Sequence, residues 1–136
     1  VRAITIKQPW AAGVMLLGKV ENRGRLNPWG SAVGQRLAIH AGKGWDRTAP
    51  EELRTLDLAH VSGAVLGTAL LRDVHWCSDV CGPYAIPRQI HLVFSDPAVL
   101  SSPPQAVGML GLWTWDHTSL PLTAEDRADH RWGSRG

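Results

Sequence analysis

The sequence lacks the marks of a membrane protein and of a disulfide-built scaffold. No apolar run approaches the roughly 20 residues that span a bilayer, and the opening VRAITIKQPW has no long apolar core of the signal-peptide kind. There are only two cysteines, Cys77 and Cys81, too few for a disulfide framework. The expectation is therefore a cytoplasmic protein with no membrane partner. Several large enzyme classes also lose their signature. There is no phosphate loop GxxxxGK[ST], no dinucleotide fingerprint GxGxxG, no GxSxG elbow and no HExxH zinc helix. Catalytic groups that meet only in the fold stay open. Neither sign of charge dominates, the formal net charge being +2, so a nucleic-acid partner would need a local basic patch. One Tyr and one Phe stand against seven Trp. Each Trp offers a large stacking face and one N–H donor, to a core or to a base.

What is present suits one domain of residues 1–116 followed by a polar extension, 117–136. RAITI (2–6) reads as a strand. Pro9 then opens a helix on which Trp10, Gly13, Val14 and Leu17 share a face, and Gly18 ends it. KVENRG (19–24) reads as a strand, residues 25–35 as a loop, and RLAIHAG (36–42) as a strand with Leu37, Ile39 and Ala41 on one side and Ala38 and His40 on the other. Residues 48–60 read as a helix, with Thr48 and Glu51 as a capping box. Ala64–Leu71 is apolar on both faces except for Thr68, as a central strand would be. Residues 77–87 read as a loop, 88–94 as a strand, 95–107 as a Pro- and Ser-rich return, and 109–115 as a strand; 123–132 suits a short helix. Five or six strands with two or three irregularly placed helices predict an α+β domain with a curled, barrel-like sheet.

Four constellations bear on chemistry. Lys19, Glu21 and Arg23 alternate in GKVENR, which puts all three on one face of a strand. That face is either solvated, with salt bridges worth about 0–1 kcal/mol each, or lines a polar pocket in which lysine and carboxylate tune each other for proton transfer. In IKQPW, Lys7 and Gln8 sit at the mouth of a helix start, a possible phosphate or carboxylate site; a plain turn with Trp10 in the core is the alternative. In IHAGK, His40 is a core histidine, a base contact or a proton carrier, and Lys43 a phosphate-facing or solvated charge. In HWCSDVC, Cys77 and Cys81 have zinc-ligand spacing beside His75 and Asp79, with His91 as a conceivable fourth ligand. With no second close ligand pair, inert loop cysteines are the expectation and no metal or other cofactor is assigned.

ITIKQPWA, GKVENR and RLAIHAGK together resemble the ASCH family of the PUA-like superfamily, with weaker agreement through GAVLGTALLRDVH and GMLGLWTW. The resemblance covers about residues 3–115. It implies a small PUA-like β-barrel with flanking helices and a cleft that binds RNA or other nucleic acid. Some relatives hydrolyse the amide of N4-acylated cytidine nucleosides, and carried over by position this gives Glu21 and Lys19 as catalytic groups, with Arg23 supporting or binding phosphate. The family signature is Gly-x-Lys-x-x-Glu-x-Arg. Here Lys19 stands one residue closer to both Gly18 and Glu21, so Lys7 is a second source of the cation, and His40 could assist. As a binding module, the cleft would use Lys7, Gln8, Trp10, Arg23, His40 and Lys43, with Trp29 or Trp45 stacking on a base of single-stranded RNA or of a modified nucleoside. A monomer is expected. A protein-interaction domain on the same barrel is the remaining alternative.

Overall fold

The computed structural model describes residues 1–116; the expected 123–132 helix lies outside them. The order of elements is β1 (Arg2–Gln8), α1 (Trp10–Leu16), β2 (Glu21–Arg23), a 3-10 turn (Trp29–Ala32), β3 (Arg36–Trp45), α2 (Glu51–Arg54), a second 3-10 turn (Asp57–His60), β4 (Ala64–Cys77), β5 (Gln89–Val99) and β6 (Trp113–Thr114). The strands form one mixed sheet in the order β2-β5-β4-β3-β1-β6. β1 and β3 run parallel, and the other pairs are antiparallel. The architecture is α+β, and among the described residues the sheet is open, with β2 and β6 at its edges. No helix among the described residues is long and apolar enough to cross a membrane.

The sequence pattern explains the layering. In β3, Leu37, Ile39 and Ala41 enter the larger core with Ile4, Ile6, Val14, Leu66 and Leu92. Ala38 enters a smaller cluster on the other face, with Ala3, Val65, Leu100, Trp113 and Trp115. β4 is apolar on both faces because it lies inside the sheet, between β3 and β5. α1 covers the larger core, and Gly13 lets it approach: a Cβ there would lie 2.7 Å from the Leu53 side chain and 3.3 Å from that of Lys19.

The sheet coils strongly. β2 and β1 are four places apart in strand order, roughly 19 Å in a flat sheet. Yet the Arg23 guanidinium of β2 donates to the Thr5 carbonyl of β1 at 3.0 Å. Bulges at Thr68/Leu70 and Leu71/Asp73 in the β4–β5 ladder supply the curvature.

Four expectations need correction. The capping box does not form: the Thr48 backbone N–H and hydroxyl both donate to Asp46 Oδ1, and the helix starts at Glu51 after Pro50. The single helix over 48–60 is instead one turn of α-helix and a separate 3-10 turn. β5 runs on through Ser95–Val99, because Arg36 holds the Asp96 carbonyl at 2.9 Å and its carboxylate at 2.5 Å while Pro97 falls in the bulge, where its missing N–H costs no ladder bond. The strand expected over 109–115 shrinks to Trp113–Thr114. Residues 106–112 become a loop from which Val107, Met109 and Leu110 point outward, Leu110 being 98% exposed.

Candidate functional site

Lys19, Glu21 and Arg23 form a buried ion network, not a washed face. Lys19 lies in the turn between α1 and β2 and is 3% exposed. Its ammonium donates to the Val20 carbonyl at 2.6 Å and to Glu21 Oε1 at 3.1 Å, and sits 5.2 Å from the centre of the Trp10 ring. Arg23 holds the other carboxylate oxygen: Nε donates to Oε2 at 2.9 Å and Nη2 lies 2.8 Å from it. The guanidinium also covers the Trp29 ring at 4.9 Å. Burial pushes the Lys19 ammonium below its ordinary pKa, and the neighbouring Glu21 carboxylate opposes that shift. Both oxygens of Glu21 are thus engaged.

Beyond Arg23 opens a cavity of about 760 Å³. Thr5, Arg23 and His40 line it from the sheet, Gly42, Lys43 and Gly63 from the end of β3 and the approach to β4, and Gln105–Gly111 from the loop. His40 and Thr5 are register partners in the parallel β1–β3 pair. The His40 Nε2 faces the Ala106 carbonyl at 2.7 Å. A carbonyl only accepts, so the proton is on Nε2 and Nδ1 accepts from the Thr5 hydroxyl at 3.2 Å. Thr5 Oγ1 in turn accepts from Trp113 Nε1 at 3.1 Å. Burial pushes His40 below its ordinary pKa, against the Ala106 hydrogen bond, so it is a neutral imidazole at pH 7. Gly108 passes directly over this pair: a Cβ there would lie 2.5 Å from Thr5 Oγ1 and 2.6 Å from the His40 ring.

Of the residues singled out from the sequence, Arg23, His40 and Lys43 meet at the cavity. Lys19 and Glu21 do not line it; they stand behind Arg23, joined to it through the carboxylate. The others serve elsewhere. Gln8 is 1% exposed and ties the chain together, donating to the Leu58 and Val61 carbonyls and accepting from the Ala12 N–H, which removes it from any ligand. That bond and Gly13 N–H to the Pro9 carbonyl also occupy the helix start that looked open to an anion. Trp10 donates its indole N–H to Asp46 Oδ2 at 3.0 Å. Trp29 is 4% exposed beneath Arg23, so it offers no stacking face. Trp45 stacks on His60 at 5.4 Å, and Lys7 is exposed with its stem over Gly44, neither of them at the cavity.

Sequence reasoning missed Thr5 and the 105–111 loop. Thr5 carried a faint signal as the polar residue between Ile4 and Ile6. The loop carried a misleading one, since MLGLW has the apolarity of a strand. The cysteines were expected to be inert and in a loop; instead Cys77 ends β4 and is joined to Cys81 as a disulfide. Their sulfurs and a His91 ring nitrogen lie within 4.8 Å of one another, away from the cavity lining. Compared with models of known protein families the chain matches none, and it matches no curated protein.

Proposed function

We propose that the cavity binds a nucleotide unit, presented by single-stranded RNA or as a modified nucleoside, and that the coiled sheet is a PUA-like barrel of the ASCH type. The observation that carries the reading is the convergence of Arg23, Lys43 and neutral His40 on one concavity. Its volume falls in the range of about 300–1,000 Å³ usual for small-ligand pockets. Arg23 and Lys43 supply cations for phosphate, Arg23 through Nη1, since its Nε and Nη2 are held by Glu21 and the Thr5 carbonyl. Gln105 offers a side-chain amide for a base edge, Thr5 and His40 form a mutually hydrogen-bonded floor, and the apolar loop residues cover the base's face. With no tryptophan among the described lining residues, stacking falls to the Arg23 plane and the Met109 and Leu110 side chains.

Hydrolysis of an N4-acyl cytidine is the second reading, favoured by one observation: a lysine with a lowered pKa beside a carboxylate. Against it, Glu21 has both oxygens in ion pairs and does not face the cavity, which disfavours a general base. One incubation separates the readings. The protein is titrated with N4-acetylcytidine while backbone amide resonances and released cytidine are followed. Shifts centred on residues 105–111 and 40–43 without cytidine support binding alone. Cytidine production that disappears in Lys19→Met overturns it in favour of hydrolysis, and the absence of any shift with both the nucleoside and a single-stranded RNA overturns both.

A further inference from the structure

We propose that Cys77, Cys81 and His91, when the two cysteines are reduced, form a binding site for a borderline-soft divalent metal ion, Zn²⁺ by donor set. The argument starts at His91. It is fully buried, and its Nε2 lies 2.7 Å from the Ile86 carbonyl. Since the carbonyl only accepts, Nε2 carries the proton and Nδ1 presents a lone pair. Nδ1 is buried and has no hydrogen-bond partner among the described residues. A buried imidazole nitrogen with no donor to satisfy it calls for an explanation. The surroundings supply one: a ring nitrogen of His91 and the sulfurs of Cys77 and Cys81 all lie within 4.8 Å of one another, and with Nε2 held by Ile86 it is Nδ1 that is left to bind.

The arrangement has the form of a metal site. An imidazole that ligates through one nitrogen normally donates from the other to a carbonyl or carboxylate, which fixes its tautomer and orientation. Ile86 does this for His91. Two thiolates and one imidazole with no carboxylate select against Mg²⁺ and Ca²⁺ and suit Zn²⁺ in a tetrahedron. The nearby candidate for a fourth ligand is His75. His75 faces His91 directly across the β4–β5 ladder, its ring 5.6 Å from that of His91, and its Nδ1 is held by Asp73 Oδ2 at 2.7 Å, which leaves Nε2 as the free ring nitrogen. The connecting loop is braced to receive an ion: Arg88 N–H bonds the Cys77 carbonyl, and the Asn22 side chain clasps the Tyr84 carbonyl and the Ile86 N–H.

The chemistry balances in two steps. A thiol or phosphine reductant delivers two electrons, and two protons are taken up, to break the Cys77–Cys81 bond and give two thiols. Zn²⁺ then displaces those two protons and binds the two thiolates and the neutral His91. The disulfide and the metal site are thus alternative states of one cysteine pair, and the site is independent of whatever occupies the cavity.

The test uses the full chain, reduced with a phosphine and freed of metal, titrated with Co²⁺ and then Zn²⁺. The expected result is about one equivalent of Co²⁺ bound with thiolate-to-metal charge transfer and tetrahedral ligand-field bands, displaced by Zn²⁺. Cys81 is exposed, so Cys81→Ser should fold as the wild type does by circular dichroism, while its affinity falls by more than the roughly 10–100-fold that losing a supporting hydrogen bond costs a metal site. His91→Gln is expected to lose the same bands. Binding by reduced wild type no stronger than by Cys81→Ser, or an octahedral cobalt spectrum without charge transfer, would overturn the proposal.

Discussion

At the scale of residues, Glu21 decides how the candidate site is built. It carries one charge and answers two cations, Lys19 through Oε1 and Arg23 through Oε2. Removing one member of a buried ion pair leaves its partner charged and uncompensated, which costs about 3–5 kcal/mol. Glu21→Gln should therefore lower stability in urea by about that amount, a large share of the roughly 5–15 kcal/mol of a typical domain. Lys19→Met keeps the packing over Gly13 and Trp10 and leaves Glu21 paired with Arg23, so it should cost far less. Equal losses in the two variants would mean that the carboxylate is not the keystone of the network. The grouping of Lys19, Glu21 and Arg23 was legible in GKVENR, although Lys19 stands in the turn before β2 and not on the strand. Their burial was not, because burial is decided by Trp10, Trp29 and Thr5, which come from three other segments.

At the scale of elements, the two long strands β4 and β5 set the curvature that brings β2 to β1. Gly67 leaves no room for a side chain where the two strands meet: a Cβ there would stand 2.0 Å from the Ala98 carbonyl oxygen and 2.9 Å from Met15 of α1. The obstacle is backbone, so no rotamer change relieves it. Gly67→Ala should destabilise by about 1–3 kcal/mol, the usual cost of overpacking, and should speed amide exchange along β4 and β5 first. An unchanged unfolding midpoint would show that the ladder has slack at this bulge. The core strands were readable because period-two apolar patterns survive in one dimension, as in Leu37, Ile39 and Ala41. The ends of elements were not. SDPAV looks like a turn until Arg36 is seen to hold Asp96 from across the sheet, and MLGLW looks like a strand until Gly108 is seen pressed onto His40.

At the scale of the whole molecule, the sheet coils until its β2 edge meets β1 through one side chain, and the cavity lies beside that junction. Arg23 thereby belongs both to the buried network and to the cavity wall, while Lys43 lines the same cavity as an exposed cation. With a net charge of only +2, long-range attraction is weak, and affinity for RNA should depend on these two local charges. A protein that neutralises a few phosphates shows a salt dependence proportional to their number. The most direct measurement is the fluorescence anisotropy of a short labelled single-stranded RNA, titrated with wild type and with Lys43→Ala over a series of salt concentrations. Lys43 is exposed, with its stem beside Gly63, so the variant should keep the fold. The account predicts binding that weakens with salt, with a log–log slope reduced by about one unit in Lys43→Ala. Binding that ignores salt, or a slope identical in the two proteins, would contradict it.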